Sequence, residues 1–397
     1  MNYFNKYHNY YFFTILLFVF IGLIFFSSTL SISYKESLIF FKYDSIISFL
    51  SNLSTGMFGH NNIALRLPFI IFYAFSSIMI YLITKDYFSN EFDRLLSTLV
   101  FMILPGFISA GLLLNNSIIV IFCLLLYLYY YKIYNKQNYI LLILFVFIDN
   151  SFIVFYLAIF IYSLIKKDYL LTFLSIILLL LSIKLYGFYI GGRPRSHFFD
   201  TLASYSSILS PIIFLYYIYT IYRMGIKNRR TLYWYISATA LIVSLLLSIR
   251  QKIYIEDFAP YIIITLPIVI KHFLHTLRIR LPIFRTKHYY FLFLSICFLI
   301  FSISVVFFNK TIYLFTDNIK KHFLYDYHFS SEISDLLIKN GINNIRTNYK
   351  LENKLKFYGI KNGNKYLISL EKLDNFDKKI DIKIYNRYLS IYILKLE

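Results

Sequence analysis

Charge is sparse in this sequence, and its acidic half is sparser still: 20 Asp and Glu stand against 40 Lys and Arg in 397 residues, and the four types together make up 15% of the chain. A water-soluble protein of this length clothes itself in charged side chains. The deficit, set beside a hydrophobic fraction of 59%, therefore excludes a soluble globule and points to a bilayer as solvent. Cysteine is almost missing. Cys123 and Cys297 both lie inside apolar stretches, so neither a disulfide framework nor a cysteine metal cluster is implied. Glycine (12) and proline (7) are also scarce, and no Gly-rich phosphate cradle of the P-loop or Rossmann kind occurs, which argues against a nucleotide-driven motor. The eight histidines are dispersed. His272 and His275, one turn apart beside Lys271, read as anchors at a membrane interface rather than as metal ligands.

What is abundant is apolar and aromatic, with 43 Phe and 40 Tyr. Apolar blocks alternate with short connections in which Lys and Arg fall mostly on every second loop. This predicts a mainly α, polytopic membrane protein with about eleven helices, near 11–30, 66–85, 97–114, 115–131, 139–149, 151–165, 169–190, 210–223, 232–249, 258–275 and 288–308. The first block follows a charge-poor start and lacks an A-x-A-like cleavage site, so it is expected to stay as a helix. With the amino terminus cytoplasmic, the inside connections hold Lys85, Arg94, Lys132, Lys166, Lys167, the run Arg223 to Arg230, and Arg278 to Lys287. The outside connections hold about half as many cations. The positive-inside bias then places the protein in the inner (cytoplasmic) membrane with its carboxyl tail on the external, periplasmic side. The net charge of +20 is explained by this topology rather than by nucleic acid, because the cations are scattered among spanning segments. Tyrosine runs such as Tyr129 to Tyr131 read as aromatic belts.

Three external loops stand out. In 31–65, Leu38, Ile39, Phe40, Phe41, Ile46, Ile47, Phe49 and Leu50 are interleaved with Lys42, Asp44 and serines at helical spacing, which predicts amphipathic helix in the membrane interface. Loop 191–209 opens Gly191-Gly192-Arg193-Pro194-Arg195 and continues into a short helix, and loop 250–257 is short and dense in charge. From Asn309 the texture changes. Residues 309–397 carry 16 Lys/Arg and 10 Asp/Glu, a helix-like stretch from Ser330 to Asn340, and strand-like runs at 366–370 and 389–396. They are expected to form a small external α/β domain, separate from a transmembrane domain of residues 1–308.

Gly56-Met57-Phe58-Gly59, Asn62 and Ala64-Leu65-Arg66-Leu67-Pro68 resemble the "FG-x-N-x-x-A-x-RLP" passage of GT-C-type glycosyltransferases. That group, glycosyltransferase family 39 among it, includes protein O-mannosyltransferases and the aminoarabinose transferase of lipid A. Ser248, Arg250, Lys252 and Tyr254, followed by Phe258-Ala259-Pro260-Tyr261 and Pro267, resemble the family's segment close to the phosphate of the lipid carrier. The resemblance spans about 11–308. It implies a GT-C fold and glycosyl transfer from a polyprenyl-phosphate-linked sugar to a lipid, glycan or protein acceptor on the external face.

Such a reaction needs cations at the membrane boundary to hold a phosphate whose negative charge grows as it departs. Arg250, Lys252, Arg193, Arg195 and Lys184 are the candidates. Each has an ordinary alternative, either snorkelling or binding anionic headgroups. Arg66 is expected to anchor its helix by pairing with a carboxylate or headgroup. Transfer also needs a base for the acceptor's proton. In the family an acidic residue of the first external loop serves, often within an Asp-Glu pair. Here that loop offers only Glu36 and Asp44, without the pair and closer to Phe58-Gly59 than in relatives. Glu36 is either the base or a solvated partner of Lys35 or Lys42. Asn116 stands where many relatives carry an aspartate, and an amide orients a substrate without accepting a proton. Asp149 either functions or caps the helix after it, and Glu256 with Asp257 is open to a salt-bridged, basic or metal-binding role. No cofactor is implied, and nothing in the sequence supports a divalent metal. Membrane lipids are the remaining partner. A catalytically silent relative that binds or moves lipid-linked sugars is the main rival, and a transporter the third.

Overall fold

The structure, a computed structural model, describes residues 2–187, 196–315, 319, 322, 324–372, 375–385 and 387–396. It is mainly helical. Six helices are long and apolar enough to cross a membrane: Tyr7–Thr29, Asn62–Asp86, Ser117–Tyr134, Tyr169–Tyr186, Ala259–Ile279 and Pro282–Phe307. Two bent pairs raise the number to eight if each is one span. The expected eleven would need three shorter helices as well: Tyr139–Phe145, Phe152–Lys166 and Leu232–Ser248. These three, of 7, 15 and 17 residues, are shorter than any of the six.

Proline explains the bends. The helix expected over 97–114 instead begins at Glu91, stops at Met102 and resumes as Pro105–Leu112 with a 55° turn of axis. A proline has no N–H for the preceding turn and its ring crowds the carbonyl behind it. Pro211 does the same after Phe198–Leu209. There Ser210 lies at φ +72° and the axis swings by 106° into Pro211–Ile226.

The chain forms two compact units, interleaved in sequence. The first comprises Met1–Phe20, Ile71–Gly111 and Asn115–Ile303. Its core is aromatic and aliphatic: Tyr127, Phe145, Phe152 and Phe155 meet edge-on or stacked, and Tyr73 stacks on Phe107 at 4.2 Å. Cations of the expected inside connections gather at one end of it. The Arg94 guanidinium lies 3.7 Å from the centre of the Tyr81 ring and binds Glu91 at 2.9 Å. Arg278 binds Asp93, and Lys132 donates to the carbonyls of Leu82 and Ile83.

The second unit comprises Ile21–Ile70, Leu112–Leu114 and Ser304–Glu397. Its sheet has the order β2-β1-β3-β5-β4, built from β1 (Asn344–Arg346), β2 (Lys361–Asn362), β3 (Tyr366–Ser369), β4 (Lys378–Ile384) and β5 (Arg387–Lys395). β1 pairs in parallel with β2 and β3, and β5 pairs antiparallel with β3 and β4. Leu389, Ile391 and Ile393 point inward at every second residue of β5 and meet Ile333 and Leu337 of helix Ser330–Lys339 and Leu351 and Leu355 of helix Tyr349–Phe357. The 31–65 stretch folds into two helices, Tyr34–Lys42 and Ile46–Phe58. The second has its faces reversed relative to a soluble helix. Ser48, Ser51, Ser54 and Thr55 are buried, while Phe49, Leu53, Met57 and Phe58 are exposed.

Candidate active site

Ser33 starts helix Tyr34–Lys42 with a capping box. Its hydroxyl accepts from the Glu36 N–H at 3.2 Å, and the Glu36 carboxylate accepts from the Ser33 N–H at 3.0 Å. The same carboxylate oxygen, Oε2, takes an Arg66 Nη2 donor at 2.9 Å, and Oε1 accepts from the Leu114 N–H at 3.2 Å. Arg66 also donates through Nη1 and Nη2 to the carbonyls of Leu30 and Ser31, while its Nε is buried without a hydrogen-bond partner. Side-chain exposure is 0% for Arg66 and 2% for Glu36. Glu36 is therefore not a solvated partner of Lys35 or Lys42. Arg66 anchors its helix through a carboxylate, and Asp44 is the residue that pairs with Lys42, at 3.2 Å with both side chains exposed.

A second acidic group forms within the first unit, at the loops expected to be external. Asn116, just ahead of helix Ser117–Tyr134, donates through Nδ2 to Asp149 Oδ1. The other Asp149 oxygen accepts from the Ser151 N–H at 3.1 Å, and the Asp149 carbonyl accepts from the Phe152 N–H at 3.4 Å. Asp149 thus satisfies donors at the start of helix Phe152–Lys166, as a capping residue does. Across the unit, the Ser117 hydroxyl donates to the Glu256 carbonyl at 2.9 Å, and the Tyr261 hydroxyl to the Ser151 carbonyl at 2.8 Å. These bonds bring the turn Ile255–Asp257 against the 116–117 and 149–151 turns. Burial first, and then the negative charges of Asp149 and Glu256, push the Asp257 carboxyl up to about 7. Neither Glu256 nor Asp257 has an ion-pair partner among the described residues. Asn116 Oδ1 and Ser151 Oγ are buried there without a hydrogen-bond partner.

Arg250 and Lys252 are exposed in the turn that leads to Asp257, so two cations and the raised carboxyl share one short segment. Lys184 is exposed in the last turn of helix Tyr169–Tyr186. Arg193 and Arg195 lie outside the described residues, as does the opening of loop 191–209, while its expected helix is Phe198–Leu209. Among the described residues, no group of three or more His, Cys, Asp or Glu is gathered so as to hold a metal ion.

Sequence reading singled out Asn116, Asp149 and the pair Glu256-Asp257 as three separate features, which lie near one another in the first unit. It missed the lock on Glu36. The visible signal was Ser33-x-x-Glu36, the capping-box spacing; nothing local pointed to Leu114 or Ser31.

Residues 46–189 match the model of a family described as dolichyl-phosphate-mannose-protein mannosyltransferase. The matched stretch holds Arg66, Asn116, Asp149 and Lys184, and ends before Arg250 and Asp257. Comparison with curated proteins gave no match. Within a chain of membrane-length helices, residues 46–189 thus carry the sequence pattern of the dolichyl-phosphate-mannose-protein mannosyltransferases, a glycosyltransferase family of GT-C type.

Proposed function

We propose that the protein is an integral membrane glycosyltransferase that takes a sugar from a polyprenyl-phosphate carrier and passes it to an acceptor at the external, periplasmic face. The family match over residues 46–189 carries this reading. The reaction is a single inverting displacement. The acceptor oxygen or nitrogen forms a bond to the sugar's anomeric carbon, the bond from that carbon to the phosphate oxygen breaks, and polyprenyl phosphate leaves.

Asp257 takes the acceptor's proton. A carboxyl near 7 is half ionised at neutral pH and still basic enough to hold the proton it receives. Asp149, fixed by Asn116 and Ser151, contributes the neighbouring charge that keeps Asp257 there. Arg250 and Lys252, in the same segment, offset charge on the departing phosphate. Glu36 holds the fold rather than taking the proton, because Ser33, Arg66 and Leu114 already occupy both its oxygens.

The test is purified protein in liposomes with a labelled polyprenyl-phosphate sugar. Acceptor-dependent release of polyprenyl phosphate is expected. Asp257→Asn should lower kcat by about 100-fold or more with donor binding retained, the usual scale for losing a general base. Removing Arg250 or Lys252 should weaken the donor by about tenfold each. Donor binding with no release under any acceptor favours the silent relative, and uptake of a water-soluble solute favours a carrier.

A further inference from the structure

Four helices of the first unit, Glu91–Met102, Pro211–Ile226, Leu266–Ile279 and Pro282–Phe307, border an apolar cavity of about 110 Å³ that the transfer reaction does not use. Leu96, Tyr216, Phe273, Leu274, Phe291 and Ser295 are among its walls. That volume is below the usual range of small-molecule sites, and walls of this kind suit a length of hydrocarbon chain. Contacts across the cavity hold the helices together. The Tyr216 hydroxyl and His272 Nδ1 share a hydrogen bond of 2.9 Å, the Tyr216 and Phe273 rings meet edge-on at 5.3 Å, and Arg278 binds Asp93.

The same helices carry cations at one end. Arg278 stands one helical turn past Leu274, and Lys287 one turn ahead of Phe291, so charge begins about 6 Å along each axis from the last wall residue. Arg223, Lys227 and Arg229 come near enough to His272, and Arg223 and Arg280 to Tyr216, to act on them through charge. Counter-charge is missing. No Asp or Glu occurs in 201–255 or 258–316, and Asp86, Glu91 and Asp93 of the neighbouring connection are already held by Lys132, Arg94 and Arg278. Arg223 donates to the Tyr219 hydroxyl, and Arg285 to the carbonyls of Arg278 and Arg280. Lys227, Arg229, Arg280 and Lys287 are exposed and have no ion-pair partner among the described residues. A cationic rim one turn from an apolar slot complements an amphiphile with an anionic head and a hydrocarbon chain. The cation bias assigns this end to the cytoplasmic leaflet, whereas the carrier-linked sugar of the proposed reaction is used on the other face, so the occupant that fits is a phospholipid of the bilayer.

We propose that this end of the first unit binds an anionic phospholipid, with its phosphate on Arg280, Lys287 and the cations of 223–229 and part of one acyl chain in the cavity. The site shares no residue with the transfer site and is tested by binding alone, so either can fail without the other.

The full chain in detergent is titrated with phosphatidylglycerol, phosphatidylcholine, polyprenyl phosphate and glycerophosphate, with native mass spectrometry as the readout. Phosphatidylglycerol is expected to bind about tenfold more tightly than phosphatidylcholine, whose ammonium group cancels the charge that the rim recognises. Arg280→Gln combined with Lys287→Gln, both at exposed positions, should remove that preference with the thermal transition of the folded chain retained. Ser295→Trp fills the cavity and should weaken phosphatidylglycerol by about tenfold with every cation in place, through lost burial of the chain. The double variant alone decides the matter if Ser295→Trp does not fold. Equal binding of the two phospholipids, unchanged phosphatidylglycerol affinity in the double variant or in folded Ser295→Trp, or displacement of phosphatidylglycerol by equimolar glycerophosphate or polyprenyl phosphate would each overturn the proposal.

Discussion

The Glu36–Arg66 pair makes different demands from a surface ion pair. Both groups are out of water, so their desolvation is offset only because the carboxylate also accepts from Ser33 and Leu114 and the guanidinium also donates to Leu30 and Ser31. Removing one partner leaves the other buried and uncompensated. Glu36→Gln should destabilise the fold by about 3 kcal/mol, and Glu36→Gln with Arg66→Met by less than the sum of the single changes. Thermal unfolding in detergent checks this. An additive cycle would count against the lock. Below its lowered Tm, Glu36→Gln should retain turnover, which Asp257→Asn should not. Asp257 also ties stability to pH. Its folded value, about 7, is raised above the ordinary aspartate value of 3.8. The folded state therefore binds a proton more tightly than the unfolded chain. The resulting stabilisation is fully present below about pH 4 and is lost as pH rises towards 7, at about 1.4 kcal/mol per unit at most. Asparagine carries no such proton. The Tm difference, Asp257→Asn minus the unaltered protein, should grow between pH 4 and 7; a flat difference would show that the carboxyl is not held up.

At the scale of elements, helix Ile46–Phe58 is the segment whose surroundings can be read from its own two faces. Serines and a threonine point inward, where Ser51 and Thr55 donate to carbonyls of the preceding turn, and Phe49, Leu53 and Met57 point out. An exposed row of this kind is costly in water and favourable against acyl chains. We therefore place the helix in the membrane interface. Trp234 is the chain's single tryptophan, so a Trp234→Phe background makes a probe at Met57 unambiguous. Met57→Trp in that background should be quenched by lipids brominated along their chains. Quenching by aqueous iodide in their place would move the helix into water.

For the whole molecule the leading question is orientation. Lys85, Arg94, Lys132 and Arg278 come from connections assigned to one side. Three of them make contacts at one end of the first unit, while Asn116, Asp149 and Asp257, assigned to the other side, meet one another. Which end faces the cytoplasm follows from the cation bias alone. With the amino terminus inside, the segment after Asn309 should be cleaved by added protease in intact cells, or in spheroplasts where an outer membrane intervenes. Protection there would invert the topology and remove the acceptor face from the proposed reaction.

Much of this was legible in the linear chain. Apolar run length sets the membrane class, Ser33-x-x-Glu36 marks a helix start, and alternation in 389–396 marks a strand, because each depends on neighbours a few residues apart. Helix Tyr349–Phe357 and the strands at 344–346, 361–362 and 378–384 escaped notice; the first two strands are three and two residues long and gain definition only from long-range pairing. The site escaped for the same reason at greater distance. Which carboxylates exist, and between which apolar runs they stand, can be read from the linear chain. Folding in three dimensions is what encloses Glu36 with residues 30, 31, 33, 66 and 114, and what raises the Asp257 carboxyl, by burial first and then by the charges of Asp149 and Glu256. Burial and charge act through space, over separations of up to 108 residues here, and no local pattern encodes them.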